Sequence, residues 1–262
     1  MDGSSLQKQR ALVIALLASL LLWNLPFGGL LLYPFKLLST WLHEGSHALV
    51  MVVTGAGFDR MEVFRDTSGL AYMNHGVMGA AAAAIAAAGY MGTPLFGAVF
   101  LVIGQTRRGA RSVLLVLGLL MGATALLFIS NTFGIVAVLV GAGACLAVAA
   151  FGTETVSVFL VNFIAAQACI NAVLDIRVLF RANMVVNGQS IRGSDAHNMA
   201  AASFGTPTMW ASIWLGWSFL LFFVALRVVY LRHRSTAPES VLEARPRIIP
   251  VPVEAVEVRA ED

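Results

Sequence analysis

The chain has 262 residues, of which 58% are hydrophobic and only 12% are charged, and its formal net charge is +3. Soluble domains carry about a quarter of their residues as charged ones, so this composition excludes an ordinary soluble globule and favours a protein embedded in a lipid bilayer. The positive charges are dispersed, and no long basic run alternates with aromatic residues, so nucleic acid is not an expected partner.

Seven apolar segments are each close to the roughly 20 residues that a helix needs to cross a bilayer. They cover residues 11–32, 34–54, 77–104, 112–129, 133–150, 155–180 and 208–231. This order predicts an all-α polytopic membrane protein with about six to seven transmembrane helices, an integral protein expected in the cell membrane. Residues 1–231 are expected to form one membrane domain, which includes a polar loop at 181–207. Residues 232–262 are charged and are expected to form a flexible C-terminal tail.

Residues 57–75 lie between the second and third apolar segments and differ from both in composition. Apolar and charged side chains are mixed there, and Asp66-Thr67-Ser68-Gly69 is typical of a turn. The pattern predicts a small β-hairpin at the membrane surface, directly after the second helix.

The third apolar segment contains the run Gly89-Tyr90-Met91-Gly92-Thr93-Pro94. Proline and glycine at these positions predict a kinked helix that another backbone can approach closely. Two interpretations remain open, a packing kink and a gate that makes room for a substrate.

The second apolar segment contains His43-Glu44-Gly45-Ser46-His47. Residues four apart lie on one face of a helix, so His43 and His47 can direct two imidazoles at one metal ion. Glu44 lies about 100° further around the helix, where its carboxylate can reach a water molecule without being a ligand. This HExxH arrangement is typical of zinc-dependent hydrolases, with Glu44 as the general base.

A zinc site of this kind needs a third protein ligand. Asp175 is the preferred candidate because it is the only carboxylate within the sixth apolar segment. The alternative is that Asp175 forms an ion pair with Arg177 or Arg181, which are close to it in sequence. Less favoured ligands are Glu154, at the start of its helix, and the loop residues His75 and His197.

At these residues the chain resembles the M50 (site-2-protease-type) intramembrane metallopeptidases, and among them the M50B-like branch. The matching stretches are residues 42–48, 89–97, 173–176 and 194–196. In that family the HExxH helix supplies two zinc ligands and the general base, and an aspartate from a later helix supplies the third ligand. The resemblance therefore implies a Zn²⁺ site formed by His43, His47 and Asp175, with Glu44 as the catalytic base.

Two departures from the family pattern concern the third ligand. Many relatives have Leu-Asp-Gly there, with a proline nearby, whereas Asp175 is followed by Ile176 and has no proline close to it. Ser194-Asp195-Ala196 also recurs in the M50B-like branch, and Asp195 is the reserve ligand if its loop folds back towards the histidines.

The resemblance implies that residues 1–231 are an intramembrane metallopeptidase-like domain. Its expected activity is zinc-dependent endoproteolysis, and its expected partners are the bilayer and a membrane-protein or membrane-associated peptide substrate. It also implies that the 57–75 hairpin holds an extended substrate. Two other functions remain open: a transporter whose path is lined by Asn171, Asp175 and the broken third segment, and a catalytically inactive relative that binds membrane proteins. The oligomeric state is not predicted.

Overall fold

The computed structural model describes residues 3–179 and 183–235. This part of the chain forms eight helices: α1 Gly3–Asn24, α2 Gly28–Val53, α3 Gly79–Ile103, α4 Arg107–Leu127, α5 Thr132–Phe151, α6 Glu154–Leu179, α7 Asp195–Ala202 and α8 Pro207–Ser235. It also forms four strands: β1 Phe58–Val63, β2 Gly69–Met73, β3 Asn183–Val186 and β4 Gln189–Arg192. Most of the predicted tail, residues 236–262, lies outside the described residues.

The apolar helices confirm the predicted membrane fold. Among the described residues, α3, α4, α5, α6 and α8 are each long and apolar enough to cross a bilayer. Helices α1 and α2 meet the same criterion as a pair, bent by 117° at the short break between them. The chain is therefore a multi-pass integral membrane protein with five candidate spans, or six if the bent pair counts as one.

The break between α1 and α2 lies earlier than the sequence predicts. The predicted boundary was at residues 32–34, but α1 ends at Asn24 and α2 begins at Gly28, with Pro34 inside the helix. A Cβ atom at Gly28 would lie 1.6 Å from the carbonyl oxygen of Leu22. The chain can reverse here because Gly28 has no side chain at this close approach.

The predicted hairpin is confirmed. Its first strand, β1, is hydrogen-bonded to the turn between α4 and α5. Strands β1 and β2 are antiparallel, with Met61 opposite Ala71. The Met61 N–H donates to the carbonyl of Phe128 at 2.9 Å, and the Ser130 N–H donates to the carbonyl of Met61 at 3.1 Å. Because the backbone groups of Met61 point away from β2, those of the opposite residue Ala71 point away from β1. The free edge of β2 therefore begins where the backbone of Ala71 faces outwards.

The segment 181–207, which the sequence predicts as a polar loop, contains a second hairpin and helix α7 in its described part. Strands β3 and β4 are joined by Asn187 and Gly188, whose φ angles of 50° and 74° are both left-handed. An Asn-Gly pair favours this two-residue hairpin turn. The N–H groups of these two residues donate to Ser68 Oγ and Asp66 Oδ2, each at 3.1 Å. The tip of the second hairpin therefore rests on the turn of the first.

Helix α7 is anchored against α3 and α8. Ala196 and Met199 are buried in a cluster that also contains Tyr90 of α3 and Trp214 of α8. Since Ala196 is fully buried, the residue before it, Asp195, is held at a defined position beside α2 and α3.

Candidate metal centre

The HExxH residues lie in the C-terminal half of α2, where the helix turns both histidines to the same side. The Nε2 atoms of His43 and His47 are 3.1 Å apart, and the two rings meet edge to face. Two imidazole nitrogens at this separation can coordinate one ion, as the spacing of four residues predicts.

Asp195, the first residue of α7, completes a group of three donor atoms. Its Oδ2 atom lies 3.1 Å from Nε2 of His43 and 3.3 Å from Nε2 of His47. In a tetrahedral zinc site with bonds of roughly 2.0–2.1 Å, donor atoms lie roughly 3.4 Å from one another. The three atoms therefore have the spacing and the chemistry that a zinc ion requires.

The hydrogen bond of Nδ1 determines which tautomer His47 presents to the three donor atoms. Nδ1 lies 2.7 Å from the backbone carbonyl of Ile85, which can only accept a hydrogen bond. In the neutral ring the proton therefore resides on Nδ1, and Nε2 presents a lone pair towards His43 and Asp195. Outer hydrogen bonds of this kind orient histidine ligands in metal sites.

Gly89 of α3 forms the wall of the group on the side opposite α2. A Cβ atom there would lie 2.3 Å from Nε2 of His43 and 2.5 Å from Nε2 of His47. These are nearly metal–ligand distances, so the absence of a side chain at Gly89 leaves open the space that an ion would need.

The two imidazoles stabilise the ionised form of the Asp195 carboxylate. Burial by itself would raise the pKa of Asp195, but the facing rings of His47 and His43 outweigh it and hold the pKa well below its ordinary value. Asp195 is therefore an anion at neutral pH, which is the form that binds a cation.

Glu44 lies beside the donor group and contacts the start of β2. Its side chain is 6% exposed, and a Cβ atom at Gly69 would lie 2.8 Å from Oε1 of Glu44. The backbone N–H of Ala71 also interacts with this carboxylate. Glu44 is therefore placed between the histidines and the free edge of β2.

Two cavities meet at these residues, and both are lined by His43, Glu44 and Tyr90. The smaller one, about 200 Å³, extends towards Asp66 and Asp175. The larger one, about 490 Å³, runs along β2 and is bordered by apolar side chains, among them Met51, Met73, Val77 and Ile85. The space beside β2 is therefore long enough for more than one residue of a bound chain.

The structure brings together two of the three predicted ligands. Within the described part of the chain, Asp175 is absent from the group of metal-compatible donors, and Asp195 is present in its place. Asp175 instead lines the smaller cavity. The side chains of Arg177 and Arg181, the alternative partners of Asp175, lie outside the described residues. The less favoured ligands are also absent from the donor group: Glu154, His75 and His197.

Two residues of the site had no assigned role in the sequence analysis. The run that begins with Gly89 was expected to kink α3 and admit another backbone, or to act as a gate, and Tyr90 had no predicted function. The signal for Gly89 was available, because glycine within an apolar helix allows close approach of another chain. Nothing local in the sequence indicates that the approaching groups are the imidazoles of α2.

Comparison with known proteins yields one family. A family model described as Peptidase M50B-like matches residues 12–225, a stretch that contains the HExxH residues, Gly89, Asp175 and Asp195. No curated protein and no solved structure matches the chain.

Proposed function

Because the chain belongs to the Peptidase M50B-like family and is a membrane metallopeptidase, we propose that it is a zinc-dependent endopeptidase that cleaves membrane-protein or membrane-associated peptide substrates. The observation that carries this proposal is the triangle of donor atoms from His43, His47 and Asp195 beside the carboxylate of Glu44. The transporter and the inactive binding protein have no comparable observation in their favour.

We assign the zinc ligands to His43, His47 and Asp195. When bound, zinc would lower the pKa of a coordinated water to about 7 and polarise a substrate carbonyl. The residues themselves supply two neutral nitrogens and one anionic oxygen, which leaves a position open for catalysis. Asp195 replaces Asp175 in this assignment because its carboxylate contacts both imidazoles.

Glu44 serves as general base and later as general acid. Its carboxylate adjoins the donor group and the cavities, so it can accept a proton from the attacking water. The same carboxyl group then donates that proton to the amine that leaves when the peptide bond breaks. Burial of Glu44 keeps the carboxylate at one position between α2 and β2.

The free edge of β2 provides the binding surface for an extended substrate. The backbone groups of Ala71 point away from β1, and Gly69, Ala71 and Met73 all line the larger cavity. A substrate strand that pairs with this edge would expose its carbonyls beside Glu44 and the histidines. A helical substrate must unwind to bind in this way, because a helix uses its carbonyls internally.

The activity is tested by comparing new protein N-termini in membranes that contain the wild-type chain with those in membranes that lack it. We expect specific new termini to appear, to vanish on treatment with a zinc chelator, and to return when zinc is added back. Wild-type protein that holds about one zinc per chain, but produces no new termini across the membrane proteome, would indicate the binding protein instead.

The assignment of the third ligand is tested by two matched substitutions, Asp195→Asn and Asp175→Asn. Removing the negative oxygen that contacts both imidazoles should lower zinc affinity at least about 100-fold, more than the loss of an outer-shell partner costs. Asp175→Asn should retain zinc, because Asp175 lies outside the donor group. Competition with a chromophoric chelator measures both affinities, and the reverse ranking would restore Asp175 as the ligand.

A further inference from the structure

Tyr90 follows Gly89 on α3 and lies beside the candidate metal centre. Its ring meets the ring of His43 edge to face, with centroids 4.7 Å apart and an interplanar angle of 88°. It lines both cavities that open at the HExxH residues. Glu44 and Asp175 line the smaller of these cavities together with Tyr90, and Glu44 and Asp195 line the larger one.

The Tyr90 ring is fixed by its packing. Only 4% of the residue is exposed, and the ring stacks on Trp214 with centroids 5.3 Å apart and planes 5° from parallel. Trp214 is itself 1% exposed, so it provides a rigid support. A donor group held in this way needs no reorganisation when charge appears next to it.

The hydroxyl of Tyr90 has no structural role that accounts for it. Among residues 3–179 and 183–235, no group forms a hydrogen bond with it, and its oxygen is not sealed within the packing, since the residue lines both cavities. Stacking on Trp214 and the edge contact with His43 need only the ring, so phenylalanine would satisfy both. The polar atom is therefore placed in the cavity beside the catalytic residues for a partner that arrives there.

The chemistry of peptide cleavage supplies such a partner. When water attacks the scissile carbonyl, the carbonyl oxygen becomes an oxyanion, and a preorganised donor stabilises it. A phenol can donate one hydrogen bond and carries no negative charge of its own at neutral pH. Asp175 and Asp195 cannot donate when ionised, and the proton that Glu44 takes from the water is the one that it passes to the leaving amine.

We propose that Tyr90 is a catalytic residue whose hydroxyl donates a hydrogen bond to the oxyanion formed from the scissile carbonyl, an inference that rests on the proposed endopeptidase function. The side chain makes no covalent bond and retains its proton throughout. Its contribution is confined to the transition state, since the neutral carbonyl of the bound substrate attracts a donor more weakly.

The test is Tyr90→Phe in the full-length protein in proteoliposomes, assayed on a peptide taken from a cleavage site found with the wild type. We expect kcat to fall roughly 100-fold with little change in KM, because one oxyanion donor is lost. Zinc content should be unchanged. A phosphinate analogue of the cleaved sequence, which mimics the tetrahedral state, should bind roughly 100-fold more weakly, whereas the product peptide should bind as before.

Tyr33→Phe is the matched control. Tyr33 of α2 donates its hydroxyl hydrogen bond to the carbonyl of Arg65 at 2.8 Å and lines neither cavity at the site. This variant loses the same atom from the helix that carries the histidines, and its kcat and phosphinate affinity should equal those of the wild type.

The outcomes separate this inference from the function on which it depends. If the wild type cleaves and Tyr90→Phe matches it in kcat and phosphinate affinity, the role of Tyr90 is refuted and the endopeptidase stands. If the wild type cleaves nothing, the function itself fails. If Tyr90→Phe does not fold, a fluorinated tyrosine at position 90 replaces it, since it keeps the ring and hydroxyl but changes the acidity. A kcat that does not respond to this acidity overturns the proposal.

Discussion

Glu44→Gln is expected to lower kcat by roughly 10³-fold or more while leaving about one zinc per chain. Glutamine has nearly the same shape as glutamate and can occupy the same buried position between α2 and β2, but its amide cannot accept the proton of the attacking water. The proposed zinc ligands His43, His47 and Asp195 are unchanged. The rate at which new N-termini appear measures the loss of activity. Metal analysis of the same purified protein measures its zinc content.

Glu62→Gln is the control for this substitution. Glu62 lies on β1, accepts hydrogen bonds from Tyr72 and Ser130 at 3.0 Å each, and lines neither cavity at the site. The same chemical change in the same hairpin should therefore leave cleavage near the wild-type rate. If Glu44→Gln keeps more than about a tenth of the wild-type activity, Glu44 is not the general base.

Gly89→Ala is expected to abolish zinc binding under conditions in which the wild type is saturated, with affinity lowered at least about 100-fold. The added methyl carbon would lie 2.3 Å from Nε2 of His43 and 2.5 Å from Nε2 of His47, so it would occupy the space that the ion needs. The His47 ring cannot simply turn away, because its Nδ1 atom is held by the carbonyl of Ile85. Cleavage should be lost together with the metal.

Gly45→Ala provides the comparison on the HExxH helix itself. Apart from its chain neighbours and the backbone of its own helix, a Cβ atom at Gly45 would have no heavy atom within 4 Å. The methyl group therefore fits without displacing another residue. Alanine in a helix interior is favoured over glycine by roughly 0.5–1 kcal/mol, so this variant should fold at least as well as the wild type. Zinc titration by calorimetry compares the two variants, and equal affinities would refute the arrangement of α3 against α2.

The hairpins show which local signals are sufficient to predict structure. The mixed composition of 57–75 and its Asp66-Thr67-Ser68-Gly69 turn were enough to predict β1 and β2. Asn187-Gly188 is an equally strong turn signal, but its flanking strands have only four residues each, and the segment was read as a polar loop. A two-stranded hairpin this short is stabilised by its contact with Asp66 and Ser68, which no local pattern reveals.

The sequence by itself determined the bilayer as the protein's solvent, the apolar helices, and the placing of His43 and His47 on one face of a helix. These follow from composition and from the helical repeat, which act between residues close in the chain. Only the tertiary structure decided the rest of the site. Asp195 is 152 positions from His43 and reaches it because α7 packs on α3 and α8, and Gly89 adjoins both imidazoles because α3 packs on α2. Such contacts depend on how helices that are distant in the chain pack together. Asp175 lies within a long apolar helix, but Asp195 is the carboxylate that contacts both histidines.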